Sequence, residues 1–186
     1  MRVLLRTSRG IDRVNGVIGR SVIWLILAST VVSGVNAVVR KTLHTSSNAW
    51  LELQWYLYAA AFLLAAGYTL RQNEHVRVDV LISRFSRRTQ VWIDIFGLTF
   101  FLLPMAAVIL WLSIPFALQA VASGETSGNA GGLIRWPVIV MMPAGFALLL
   151  AQGVSELIKR VAFLRGLIDA PTSAGSAANP DAESAH

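Results

Sequence analysis

With 186 residues, 55% hydrophobic and only 14% charged, and with its apolar residues gathered into long blocks, the chain has the composition of an integral membrane protein; a soluble domain carries about 25% charged residues. The net charge of +6 and pI of about 10.8 would suit a nucleic-acid binder, but the basic residues flank apolar blocks and no aromatic-rich basic groove is visible, so the positive-inside rule explains them better. The absence of cysteine excludes disulfides, thiolate metal sites and cysteine nucleophiles together.

Residues 1–20 carry Arg2, Arg6, Arg9, Arg13 and Arg20 against one acid, Asp12. Ile11, Val14 and Ile18 at i, i+3 and i+7 predict a short amphipathic lead-in helix. The block 21–39 follows and predicts a first membrane span. A cleaved signal peptide is the rival reading, but the apolar stretch exceeds the usual length of roughly 7–15 residues and ends in no convincing small-residue cleavage site. Arg40 and Lys41 close the span, and 42–49 is a polar loop.

Residues 50–70 predict the second span. Trp50, Trp55, Tyr56 and Tyr58 cluster at its start as an aromatic belt, and alanines with Gly67 supply small residues for close helix approach. Residues 71–90, RQNEHVRVDVLISRFSRRTQ, form the most charged run. There Val78, Leu81, Ile82 and Phe85 fall on one helical face and Arg84, Arg87 and Arg88 on the other, which predicts an amphipathic interfacial helix over about 76–90. A solvated loop or a short strand at Val76 and Val78 is the alternative.

Residues 91–114 predict the third span, with Pro104 inside it and Pro115 helping to terminate it. Residues 119–134 are rich in Gly, Ser and Asn and read as a loop. Residues 136–158 predict the fourth span, closed by Lys159, Arg160 and Arg165; 166–186 reads as a disordered tail after a membrane domain over 1–165. The fold class is thus all-α, with four transmembrane helices and an interfacial helix between the second and third. Thirteen lysines and arginines fall on the side of the termini and central stretch and three on the other, which places both termini in the cytoplasm.

The ionisable residues of the spans lie near their ends. Glu156 and Arg160 are at i and i+4, Asp94 can reach Arg87, Arg88 or the headgroup layer, and Glu52 can meet Arg40 or Lys41 across the loop. His44, His75 and His186 have no metal-ligand spacing, and no phosphate cradle, dinucleotide fingerprint or zinc-protease motif is present. No span has a charged or strongly polar residue at its middle or a Gly/Ser-rich break, so the residues point to an accessory membrane subunit without enzymatic, cofactor or metal sites of its own. A stand-alone small membrane transporter, or an anchor subunit of another membrane complex, remains the alternative.

Several runs then carry a resemblance. WLELQW (Trp50 to Trp55), HVRVD (His75 to Asp79), WIDIFG (Trp92 to Gly97), FLLP (Phe101 to Pro104), SGETS (Ser123 to Ser127), GGLIRWP (Gly131 to Pro137) and LAQGVSE (Leu150 to Glu156) occur in this order. The series, over roughly 20–165, resembles the DctQ-like small permease subunits of tripartite ATP-independent periplasmic (TRAP) transporters. Where the family usually has an Arg-Tyr pair after the first span, this chain has Arg40 and Lys41. The resemblance implies a four-helix, non-catalytic inner-membrane subunit in a sodium-driven, receptor-dependent secondary transporter that imports an organic acid. The subunit would scaffold a large DctM-like elevator permease that holds the sodium ions and substrate, served by a periplasmic solute receptor. SGETS and GGLIRWP resemble a subset of the family associated with 2-oxo acids and related carboxylates.

Under that resemblance Arg84, Arg87 and Arg88 would contact phospholipid phosphates. His75 and Asp79 would cap the turn into the interfacial helix, and Trp50, Trp55 and Trp92 would set membrane depth. Glu52 would lie at the outer interface, and Glu125 in a loop facing the receptor.

Overall fold

The computed structural model describes residues 2–43, 47–72 and 85–168. These form four helices: α1 (Arg2–Leu43), α2 (Asn48–Gln72), α3 (Arg87–Ser123) and α4 (Trp136–Leu164). Among the described residues the only β-type pairing is one bridge, Thr126 to Ile134, in the loop before α4. α4 packs against every other helix, and α1 and α2 also pack along each other.

Three helices, α1, α3 and α4, are long and apolar enough to cross a membrane. α2 has 25 residues, about 37 Å at 1.5 Å per residue, against a hydrocarbon core of about 30 Å. Glu52, Gln54 and its Trp and Tyr residues make its most apolar stretch less apolar than those of the other three.

The predicted lead-in helix and first span are one continuous helix of 42 residues. The apolar periodicity of Ile11, Val14 and Ile18 runs into the following block without a proline to interrupt the helix. Residues 73–84, which hold most of the predicted interfacial helix, lie outside the described residues. Arg87–Gln90, its last part, form instead the first turn of α3, capped by the Ser86 hydroxyl accepting from the Thr89 amide at 3.3 Å.

The prolines behave differently from one another. Pro104 lies just after a π-helical turn, Leu98–Leu102, in which the ladder widens by one residue and the Leu103 amide reaches the Leu98 carbonyl. Such a turn relieves the ring's clash with the preceding turn. Pro115 was expected to end the third span, but α3 continues to Ser123. The stop is Gly124, at φ 59°, a left-handed conformation that glycine adopts without a Cβ clash. In an apolar block, continuing the helix leaves fewer backbone groups unpaired than ending it at the proline. α4 likewise continues through Pro143 and runs to Leu164, six residues past the predicted end at 158. Amides of Gly166 and Leu167 then close it on the Phe163 and Ala162 carbonyls at 2.9 and 3.0 Å. The rest of the expected tail, from 169, lies outside the described residues.

Glycines set the crossings. A Cβ on Gly145 would lie 2.6 Å from the Leu63 carbonyl oxygen, so α2 and α4 touch backbone to backbone there. Near the loop end of the bundle, Ala117, Ala120 and Ile139 form the buried contact between α3 and α4.

Candidate functional site

Polar side chains gather in two places. At the end of the bundle where α1 begins and α4 finishes, Ser8, Asp12 and Asn15 repeat at i, i+4 and i+7 on α1. Gln152, Ser155, Glu156 and Lys159 form the matching row on α4. These spacings put each set on one face, and the faces meet.

The seam is closely paired. Asn15 donates to Gln152 Oε1 at 2.9 Å, and Gln152 Nε2 donates to Asp12 at 2.8 Å and to Glu156 at 3.1 Å. Ser155 Oγ donates to Asp12 at 2.9 Å, which leaves the Ser8 hydroxyl to donate to Ser155 at 2.7 Å. Gln152 and Ser155 are fully buried.

The charges beside this seam alternate in sign. Asp12 pairs with Lys159 at 3.2 Å, Lys159 with Glu156, Glu156 with Arg160 at 2.6 Å, and Arg160 with Asp94 at 3.1 Å. The row crosses from α1 over α4 to α3, so three helices share one electrostatic network. Buried charges persist only when paired and hydrogen-bonded, and each of these has an opposite partner. Among the described residues no three His, Asp or Glu side chains are grouped so that they could hold a metal ion.

The second centre is at the loop end. Glu52, 2% exposed, accepts from Ser127 Oγ, from Asn129 Nδ2 at 2.8 Å and from the Leu133 amide at 2.7 Å. The loop closes on itself through Ser127 N to Leu133 O and Arg135 N to Glu125 O, both 2.9 Å. Asn48 Nδ2 adds a bond to the Ala130 carbonyl at 3.1 Å. A carboxylate on the first turns of α2 thus organises the loop between α3 and α4.

Of the residues expected to act, Glu52 is engaged by this loop and not by Arg40 or Lys41, which correct that expectation. The reason is geometric: Arg40 and Lys41 are exposed in the last turn of α1, whereas the Glu52 side chain turns into the bundle. Asp94, expected to reach Arg87, Arg88 or the headgroup layer, is engaged by Arg160 across the α3–α4 contact. The expected Glu156–Arg160 pair is present. Glu125 pairs with Arg135 at 2.6 Å, both over 40% exposed. Trp50, Trp55 and Trp92 are exposed, with Trp55 edge-on to Tyr56 at 4.4 Å between ring centres. Arg87 and Arg88 are exposed on the first turn of α3. His75, Asp79 and Arg84 lie outside the described residues.

Asn15, Asp12, Gln152 and Ser155 were missed by a reading that looked only for charges at span centres. Their signal was the matching polar period at 8, 12 and 15 and at 152, 155 and 159. Ser127 and Asn129 carried no comparable signal, because loop residues have no period.

Comparison with curated proteins and with solved structures finds no match. A family model, described as tripartite ATP-independent periplasmic transporters, DctQ component, matches residues 17–163. That range takes in all of α2 and α3, nearly all of α4 and the loop that Glu52 holds, and the chain therefore belongs to the DctQ family, the small permease component of TRAP transporters.

Proposed function

We propose that this chain is the non-catalytic small subunit of a sodium-driven, receptor-dependent importer of an organic acid, with 2-oxo acids as the narrower substrate class. The family match over 17–163 carries this reading. DctQ is a transporter component, and such components work with a large DctM component and a periplasmic receptor. The large DctM-like partner would hold sodium and substrate and move as an elevator, while this chain widens and anchors its static scaffold.

The arrangement of polar groups supports a scaffold. The buried charges described above pair with one another across helix contacts, as they would in a body that stays rigid while its partner moves. Apolar side chains such as Trp24, Phe100 and Trp111 point outward, available to lipid or to the partner. In this reading α2 also crosses the membrane, as the second of four spans, both termini are cytoplasmic, and the membrane is the bacterial inner membrane. Arg84, Arg87 and Arg88 meet lipid phosphates, His75 and Asp79 cap the turn before them, and Trp50, Trp55 and Trp92 set depth. Glu52 holds the outer loop that presents Glu125 to the receptor.

The test is purification from the native membrane in mild detergent, followed by reconstitution. A stoichiometric large permease, and carboxylate uptake into liposomes that requires a sodium gradient, both subunits and the receptor, is expected. A homo-oligomer that transports a solute unaided overturns the reading.

A further inference from the structure

The first half of α1 carries four exposed arginines, Arg6, Arg9, Arg13 and Arg20. At 3.6 residues per turn they fall within an arc of about 60°, as a stripe about 21 Å long. Among the described residues no carboxylate pairs with any of them. Asp12, the acid of this stretch, lies on another face and pairs with Lys159. Arg9 Nε and Arg20 Nε donate to the carbonyls of Leu5 and Gly16 at 3.4 and 3.1 Å, which tethers each head while leaving its Nη donors without a protein partner among the described residues. Arg71 of α2 adds a fifth cation, since its Nη1 sits over Gly16.

The neighbouring face of α1 is apolar. Val14 and Val17 are each 52% exposed. Beside them a groove of about 400 Å³ runs between α1 and α4, lined by Gly10, Ile11, Val14, Leu148 and Ala151. The groove lies at the level of the polar seam, where Asn15 meets Leu148 and Gln152.

We propose that this stripe and groove together bind an anionic phospholipid, its phosphate on Arg9 and Arg13 and one acyl chain in the groove. A guanidinium presents a planar fork of donors that matches phosphate oxygens, and its preferred ligand here is an anion because no carboxylate among the described residues pairs with it. The apolar groove within one helical turn of that fork selects a ligand with a hydrocarbon chain. An acidic protein segment would satisfy the arginines but leave the groove empty. A topology signal alone needs positive charge near the span, not a stripe on a single face with a slot beside it.

The full-length chain, purified in neutral detergent, is titrated with phosphatidylglycerol or phosphatidylcholine of identical acyl chains and read by native mass spectrometry. Phosphatidylglycerol is expected to be retained at least about tenfold better, and R9Q/R13Q to lose that preference. Gly10→Phe fills the slot, where an added Cβ meets nothing within 4 Å, and is expected to weaken retention with every arginine intact. Soluble glycerol phosphate is expected not to displace the lipid. Equal binding of the two lipids, or an unchanged preference in folded R9Q/R13Q, overturns the proposal. Full displacement by glycerol phosphate overturns the lipid as the source of the anion. If R9Q/R13Q does not fold, R9K/R13K decides: it keeps the charge but loses the fork, so several-fold weaker retention supports the site and unchanged retention overturns it.

Discussion

Asn15 of α1 and Gln152 of α4 meet amide to amide, Nδ2 to Oε1 at 2.9 Å, with neither residue more than 1% exposed. Every polar atom of Gln152 is used, because its nitrogen also donates to Asp12 and Glu156. Gln152→Leu should therefore leave the Asn15 amide only its long 3.5 Å bond to the Leu148 carbonyl and remove a donor from both carboxylates. The expected loss is about 1–3 kcal/mol in detergent unfolding. The double variant N15L/Q152L should recover part of it, and a strictly additive double-mutant cycle would show that the pair does not couple.

Glu52 gathers three donors from one loop. Glu52→Gln replaces an acceptor oxygen with an amide that faces donors, so at least one bond is lost. Hydrogen exchange at the Ser127 and Leu133 amides should accelerate, with a stability loss of about 1–3 kcal/mol, while exchange in α1 stays unchanged. Equal protection in the variant and the parent would mean that the loop holds itself without the carboxylate.

Arg160 stands between Asp94 and Glu156 and is 5% exposed. Arg160→Met should remove the cation that Asp94 and Glu156 share, leaving Glu156 paired with Lys159, and cost about 1–3 kcal/mol. Adding Asp94→Asn should restore part of the lost stability. Thermal unfolding of the single and double variants measures both effects.

Gly145 allows α4 to lie on the α2 backbone. Gly145→Leu needs space where Leu63 O and Cβ already stand within 3 Å of the first added carbon. The helices must separate, so the variant should unfold at least about 10 °C below the parent or fail to accumulate. Gly34, whose added Cβ would meet nothing within 4 Å, is the control: Gly34→Leu should be nearly neutral.

Glu156 and Arg160 were legible as a pair because a helix fixes the distance between i and i+4 without reference to any other element. The apolar blocks located α1, α3 and α4 but not their ends, which lie at Arg2, Ser123 and Leu164, beyond the blocks. The ordered series of motifs from 50–55 to 150–156, HVRVD at 75–79 above all, carried the family. Pro115 misled, because a proline's local preference is outweighed where ending a helix would leave more backbone unpaired.

By itself the sequence determined the helical class, the long apolar segments, the family and the Glu156–Arg160 pair within α4. Only the tertiary structure decided that Asp12 meets Lys159, that Asp94 meets Arg160 and that Glu52 serves a loop seventy-five residues away rather than the arginine and lysine before it. Partners on one helix follow from a fixed rise and turn. Partners on different helices follow from how closely the helices approach and in which register, and contacts such as Gly145 on Leu63 set that only when the chain has folded.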